Sequence, residues 1–186
     1  MQKLSEKILF EGKWLSLKET TFLNSHGEEV YWESVVRNKK EGSVIVIPVL
    51  MPSKRIVLIR QYRLPLEDYV ISFPAGMVPE GDTGHALIEL KQETGYIGKI
   101  VDHSPLLQVH SGLIDEKTQV AVVAIDENDP QNKDPKQALE PTEEIEVILV
   151  PMAEARSFLL KESKKGVRIA AGVWHAIGLS NSFIKP

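Results

Sequence analysis

The chain has 186 residues, 42% of them hydrophobic and 26% charged, with a formal net charge of −4. This suits one main globular domain with room for a small appendage, and the mixed signs exclude a phosphate-backbone footprint and hence a nucleic-acid partner. The absence of cysteine excludes disulfides, thiolate chemistry and cysteine-type zinc sites. With no apolar run long enough for a membrane span and no apolar targeting run in the first thirty residues, a cytoplasmic protein is the default expectation.

In chain order, residues 4–10 are weakly patterned. Trp14 to Phe22 reads as a strand, Asn24-Ser25-His26-Gly27 as a turn, and Glu29 to Val36 as the returning strand. Residues 1–42 are therefore expected to form an N-terminal β-hairpin extension ahead of a main domain, 43–186. A lone hairpin is marginal in water, so it must pack on that domain or on a second copy of the chain. Ser43 to Leu50 is a buried strand in which Pro48 argues for an edge or a bulge, and Arg55 to Gln61 is a second strand. Tyr69-Val70-Ile71 leads into the tight loop Ser72-Phe73-Pro74-Ala75-Gly76. A short helix then carries Glu89 and Glu93 and stops at Gly95. Leu106 to Val109 is a short extended run and Thr118 to Ile125 a central strand. Asp126 to Pro141 is polar and expected to be mobile. Ile145 to Val150 is a further strand. Met152 to Ser163 and Ile169 to Leu179 read as helices, Trp174 on the apolar stripe of the second, with a frayed tail from Asn181 to Pro186. The pattern is a mixed sheet with a few helices, an α+β or α/β-sandwich fold rather than regular βαβ winding.

Glu89 and Glu93 are four residues apart and share one helix face. Two carboxylates stacked in this way beside loop carbonyls can hold a divalent cation through hard oxygen ligands. The plainer reading is a solvent-facing pair on an exposed helix. The histidines His26, His85, His103, His110 and His175 are scattered, with no zinc-binding spacing.

The loop and helix resemble the motif of the Nudix hydrolases, with Gly76 and Asp82 at its opening and Glu89, Leu90, Glu93 and Gly95 in its helix. Gly12-Lys13-Trp14, Tyr31 to Arg37, Val46 to Leu50, Gln61-Tyr62-Arg63, Phe73-Pro74-Ala75-Gly76, Glu93-Thr94-Gly95-Tyr96 and Glu143 to Pro151 extend the resemblance to that family's ADP-sugar (ADP-ribose) pyrophosphatase branch. The resemblance implies a Nudix-type α/β/α sandwich with a mixed sheet. It also implies a homodimer joined through the N-terminal strands, and hydrolysis of a nucleotide-sugar with Mg²⁺ or Mn²⁺. It places metal ligands at Glu89 and Glu93 with the Ala75 carbonyl nearby. Pyrophosphate contacts fall at Arg37 and Arg63, and base contacts at Trp14, Trp32 and Glu33. A water-activating glutamate falls at Glu143, with Glu144 as its rival one residue away.

Three charged positions of the family pattern are replaced. Ile88 stands where the helix carries arginine, Gln92 where it carries glutamate, and Ser72 where the branch carries glutamate before Phe-Pro-Ala-Gly. Positions 88 and 92 are i,i+4 neighbours, so losing both leaves no orphaned charge if the two pair in the family. Two functions follow as expectations. The first is metal-dependent cleavage of the diphosphate bond of ADP-ribose or a related nucleotide-sugar. The second is a Nudix-fold protein that binds such a nucleotide with weak or no turnover.

Overall fold

Burial periodicity separates the strands. Glu41–Met51 alternates buried and half-buried positions, as a half-covered strand does, whereas Arg55–Arg63 is buried on both faces from Ile56 to Ile59. The computed structural model describes residues 1–39, 41–79 and 81–178. Its strands are β1 (Gln2–Glu11), β2 (Leu15–Leu23), β3 (Glu29–Arg37), β4 (Glu41–Met51), β5 (Arg55–Arg63), β6 (Asp68–Ser72) and β7 (Ala75–Pro79), followed by helix α1 (His85–Thr94). Then come β8 (Lys99–His103), β9 (Leu107–Gln108), β10 (Lys117–Asp126), β11 (Ile145–Pro151), helix α2 (Ala155–Lys164) and β12 (Arg168–Ile169).

The chain divides into two units. The first comprises Met1–Ser43, Met77–Asp82 and Pro105–Gln119. The expected hairpin is there, β2 pairing β3 without a slip from Leu15↔Arg37 to Leu23↔Glu29. Its turn is closed by the Asn24 side chain, which accepts from the His26 and Glu28 amides. A third strand, β1, adds to β2. The weak pattern of residues 4–10 concealed it because every residue of β1 is exposed. The ladder to β2 holds the strand, and no burial period announces it.

The second unit comprises Val44–Gly76, Thr83–Ser104 and Val120–Pro186. Its strand order is β12-β6-β5-β4-β10-β8, with β11 antiparallel to β5 and β12 parallel to β6. This is the expected mixed sheet flanked by short helices. Ile56, Leu58, Ile71, Phe73 and Val150 form its core with Ala155 and Leu159 of α2 and with Val173 and Ile177. Each large aliphatic side chain so buried contributes roughly 1.5–3 kcal/mol.

Two sequence expectations are corrected. Pro48 lies in β4, which is an interior strand, so the edge reading is overturned; the β4–β5 ladder covers Val49 and Leu50, and the proline falls just beyond it. The helix expected from Ile169 begins instead as strand β12, with short helical turns at Ala171–Val173 and Trp174–Gly178. Pairing of Arg168 and Ile169 with Val70 and Ile71 overrides the apolar period there. Trp174 still packs against the core, as its stripe position implied. The end of that helix at Leu179 and the tail lie outside the described residues. Among the described residues, no helix is long and apolar enough to cross a membrane.

Candidate active site

Helix α1 buries Ala86, Leu90, Glu93 and Thr94, so a carboxylate sits on its inward face. The helix ends at Gly95, whose φ of 77° suits glycine and whose N–H donates to the Lys91 carbonyl at 2.8 Å. The other terminal carbonyls need partners as well. Thr94 Oγ1 donates to the Leu90 carbonyl at 2.5 Å, Ala138 N–H to Gln92 at 2.8 Å, and Gln137 Nε2 to Glu93 at 2.6 Å.

The polar segment 126–141, expected to be mobile, is therefore the cap of the glutamate helix. Buried Asn132 anchors it, donating to the Ile97 and Asp126 carbonyls at 3.0 and 2.9 Å and accepting from the Ile97 amide at 2.9 Å. Its composition announces a loop; its hydrogen-bond partners were not legible. One consequence can be tested directly. A Cβ on Gly95 would lie 2.3 Å from the Lys136 amide nitrogen, at a left-handed φ. Gly95→Ala is expected to destabilise the protein by about 2 kcal/mol or more in urea unfolding, since both strain and a backbone clash must be relieved.

Glu93 is 1% exposed and accepts from the Ala75 amide at 3.0 Å. Burial raises its pKa to about 8; the Ala75 hydrogen bond opposes this, the Glu143 and Glu89 charges add to it, and Arg63 pulls it down. Glu89 is half-buried one turn earlier, and burial also raises its pKa, followed by the Glu143 charge, with His85 opposing. Its carboxylate lies on Gly76, where a Cβ would meet Glu89 Cδ at 2.0 Å. The glycine is required because only a bare Cα admits the carboxylate so closely.

The two acids that the sequence left open have different partners. Ile145 stands opposite Gln61, and Tyr62 N–H donates to the Glu144 carbonyl at 3.1 Å, extending the ladder by one residue. Residues directly opposite one another in a ladder share a face of the sheet. Glu144 therefore shares the face of Tyr62 and its partner Tyr69, and Tyr69 Oη donates to the Glu144 carboxylate. Glu143 is the one whose charge acts on Glu89 and Glu93. Arg63, at the end of β5, acts on Glu93 from the same unit. Tyr69 and Gln137 carried no sequence signal: their parts depend on register and on a loop path.

Among the described residues no three His, Asp or Glu side chains converge into a ready-made ligand set. The donors present nevertheless suit a hard cation. Two carboxylates on one helix face have their ionisation opposed by burial and by the Glu143 charge, Glu93 by Glu89 as well. In addition, Gln61 Oε1 and Ser72 Oγ are buried without a hydrogen-bond partner. Ile59 pairs with Ser72 and Gln61 with Val70, so both orphaned oxygens belong to one face of the sheet. All the groups are oxygens, the ligand type that Mg²⁺ and Mn²⁺ take.

The remaining candidates belong to the first unit. Trp14 and Trp32 are 62% and 57% exposed. Lys13 Nζ sits 4.9 Å from the Trp14 ring centroid, and Trp32 Nε1 donates to the Gly112 carbonyl at 3.0 Å. Glu33 is exposed and stands opposite Glu19. Arg37 is engaged by Glu116 through Nε at 2.8 Å and Nη2 at 2.7 Å.

The model of the NUDIX domain matches residues 39–170. The chain is 35% identical to the ADP-sugar pyrophosphatase of Mus musculus over 156 residues, 79% of this chain and 72% of that protein. It is 33% identical to the ADP-ribose pyrophosphatase of Saccharomyces cerevisiae over 172 residues, 87% of this chain and 74% of the other. A crystal structure of an ADP compounds hydrolase shares the fold with a TM-score of 0.64 at 18% identity, covering 89% of this chain and 94% of that one. The helix with Glu89 and Glu93 on one face lies inside the matched domain, and the chain belongs to the Nudix hydrolase family.

Proposed function

We propose that the protein hydrolyses the diphosphate bond of ADP-ribose or a related nucleotide-sugar, giving a nucleoside monophosphate and a sugar phosphate. The observation that carries this reading is the pair Glu89 and Glu93 on one helix face, Glu89 against Gly76 and Glu93 on the Ala75 amide, with the charges of Glu143 and Arg63 both acting on Glu93. The pyrophosphatase names of the mouse and yeast relatives support the substrate class.

Glu89, Glu93 and the backbone of Ala75 would hold Mg²⁺ or Mn²⁺. When bound, the cation neutralises phosphate oxygens and polarises the phosphorus. Arg63 offers a planar fork to the diphosphate, and Arg37 does the same on exchanging its Glu116 partner. Glu143 takes a proton from the attacking water as its oxygen bonds to phosphorus. The bridging P–O bond breaks, leaving two phosphomonoesters. The exposed faces of Trp14 and Trp32 suit stacking on adenine, and Glu33 can accept from a base amino group. The same reading includes a homodimer joined through the N-terminal strands; Ile8 and Phe10 of β1, 52% and 67% exposed, support it.

The test incubates the protein with ADP-ribose and Mg²⁺ and measures phosphomonoester release alongside binding. Turnover is expected, with Glu143→Gln lowering kcat by about 10²–10⁴-fold, the range of general-base catalysis. Tight binding without product above a metal-free control would overturn hydrolysis. It would favour the second reading, a nucleotide-binding protein without turnover. What supports that alternative is the outer face of α1, where Leu87, Ile88 and Gln92 line an open apolar groove with Ile97 and Ala138 in place of the family's charged pair.

A further inference from the structure

The turn that carries Glu143 is tied down at both ends. At one end Ala138 N–H donates to the Gln92 carbonyl of α1 at 2.8 Å. At the other, Glu144 is held to the β5–β6 hairpin twice, its carbonyl by Tyr62 N–H and its carboxylate by Tyr69 Oη. Between these ties Glu143 N–H donates to the Glu140 carbonyl at 3.0 Å, and Glu140 N–H donates to Glu143 Oε2 at 2.8 Å. One carboxylate oxygen of Glu143 is thus engaged in its own turn.

Tyr69 is itself well set. It stands opposite Tyr62, the two rings meet edge to face with centroids 5.3 Å apart, and the Arg60 guanidinium lies 4.5 Å from the Tyr69 centroid. Such packing fixes the ring and so aims its hydroxyl. Glu143 and Glu144 are adjacent: Glu144 is held against β5, and Glu143 closes the turn just before it. Whatever fixes Glu144 limits the rotation of the chain at Glu143, one residue away.

We propose that Tyr69 is a positioning residue: by holding Glu144 against the β5–β6 hairpin, it sets the Glu140–Glu143 turn and with it the place of the Glu143 carboxylate. This rests on the hydrolase reading above and extends it to a residue that does not touch substrate. A catalytic base misplaced by about 1 Å can lose roughly a hundredfold in rate. The latch therefore acts on kcat and leaves substrate affinity alone.

The test compares Tyr69→Phe, Glu144→Leu, their double variant and Glu144→Gln. Steady-state kinetics with ADP-ribose and Mg²⁺ are paired with amide hydrogen exchange over residues 138–145. Tyr69→Phe keeps the ring and removes the donor. It is expected to lower kcat by about tenfold or more with KM changed less than about threefold. Exchange in the turn should quicken while α1 stays protected. Glu144→Leu should match it, and the double variant should be no worse than either single change, because both remove one interaction. Glu144→Gln, whose amide oxygen still accepts, should keep the turn protected and kcat nearer the native value than to that of Tyr69→Phe.

Unchanged exchange in Tyr69→Phe would overturn the latch whatever the activity. Faster exchange with native kcat, or a raised KM at native kcat, would overturn the positioning role. If the native protein shows no turnover, the hydrolase reading fails and the positioning role falls with it. The exchange data would then still report whether Tyr69 holds the turn.

Discussion

Glu93→Gln is expected to abolish most turnover and, in the same protein without metal, to raise stability at pH 8. The activity loss should be about 10³-fold, because a cation ligand that stabilises developing charge is worth several kcal/mol. The stability gain follows from linkage. Glu93 has a folded pKa of about 8, against an ordinary value of 4.5. Between those two values the folded protein binds the proton more tightly than the unfolded chain does. The stabilisation is complete below about pH 4.5, declines as pH rises through the window, and is lost above about pH 8. At about 1.4 kcal/mol per pH unit the lost stability is of the order of a few kcal/mol. Glutamine carries no charge to desolvate and can still accept from the Ala75 amide, so its stability should be flatter with pH across this window.

Thermal unfolding at pH 6 and pH 8, with a chelator and with Mg²⁺, checks all of this. The native protein should gain more from Mg²⁺ at pH 8, where the proton competes less. The variant should gain little at either pH. A native Tm that does not fall from pH 6 to pH 8 under chelation would show that the buried carboxylate is already compensated.

The second large effect is expected at a residue with no side chain. Gly76→Ala places a Cβ 2.0 Å from Glu89 Cδ and 2.1 Å from Oε1. What it meets is the far end of a flexible side chain, so Glu89 swings away and the fold survives. Activity should fall about 10²-fold, the cost of moving a group by about 1 Å from its working place, with the urea midpoint nearly native. Gly172→Ala serves as the control, since nothing lies within 4 Å of a Cβ there; it should leave kcat and KM alone. A Gly76→Ala enzyme with native kcat would mean that Glu89 is not used where it lies.

Much of the site was legible as local spacing. Glu89 and Glu93 sit one turn apart on any helix, and Gly95 stops that helix wherever it is placed. The strands with strong apolar runs, β4, β5, β10 and β11, appear close to their expected places. What failed did so for identifiable reasons. Strand β1 buries nothing and so shows no period. The segment 126–141 looks like free loop because its ordering comes from Asn132 and Gln137 meeting carbonyls far away in sequence. The stretch from Ile169 has a helical stripe, but pairing with β6 claims its first residues.

The choice between Glu143 and Glu144 marks the same boundary. The sequence by itself determined that two acids precede a strand, that two carboxylates share a helix face, and that Ile88, Gln92 and Ser72 replace charged family positions. These are properties of residue type and spacing, which need no partner. Only the tertiary structure decided that Glu93 is buried and hard to ionise, that Gly76 makes room for Glu89, and that Glu144 accepts from Tyr69 while Glu143 turns back on Glu140. Each of these depends on which element lies beside which, and in the β5–β11 ladder on register, where a shift of one residue would take Glu144 away from Tyr69.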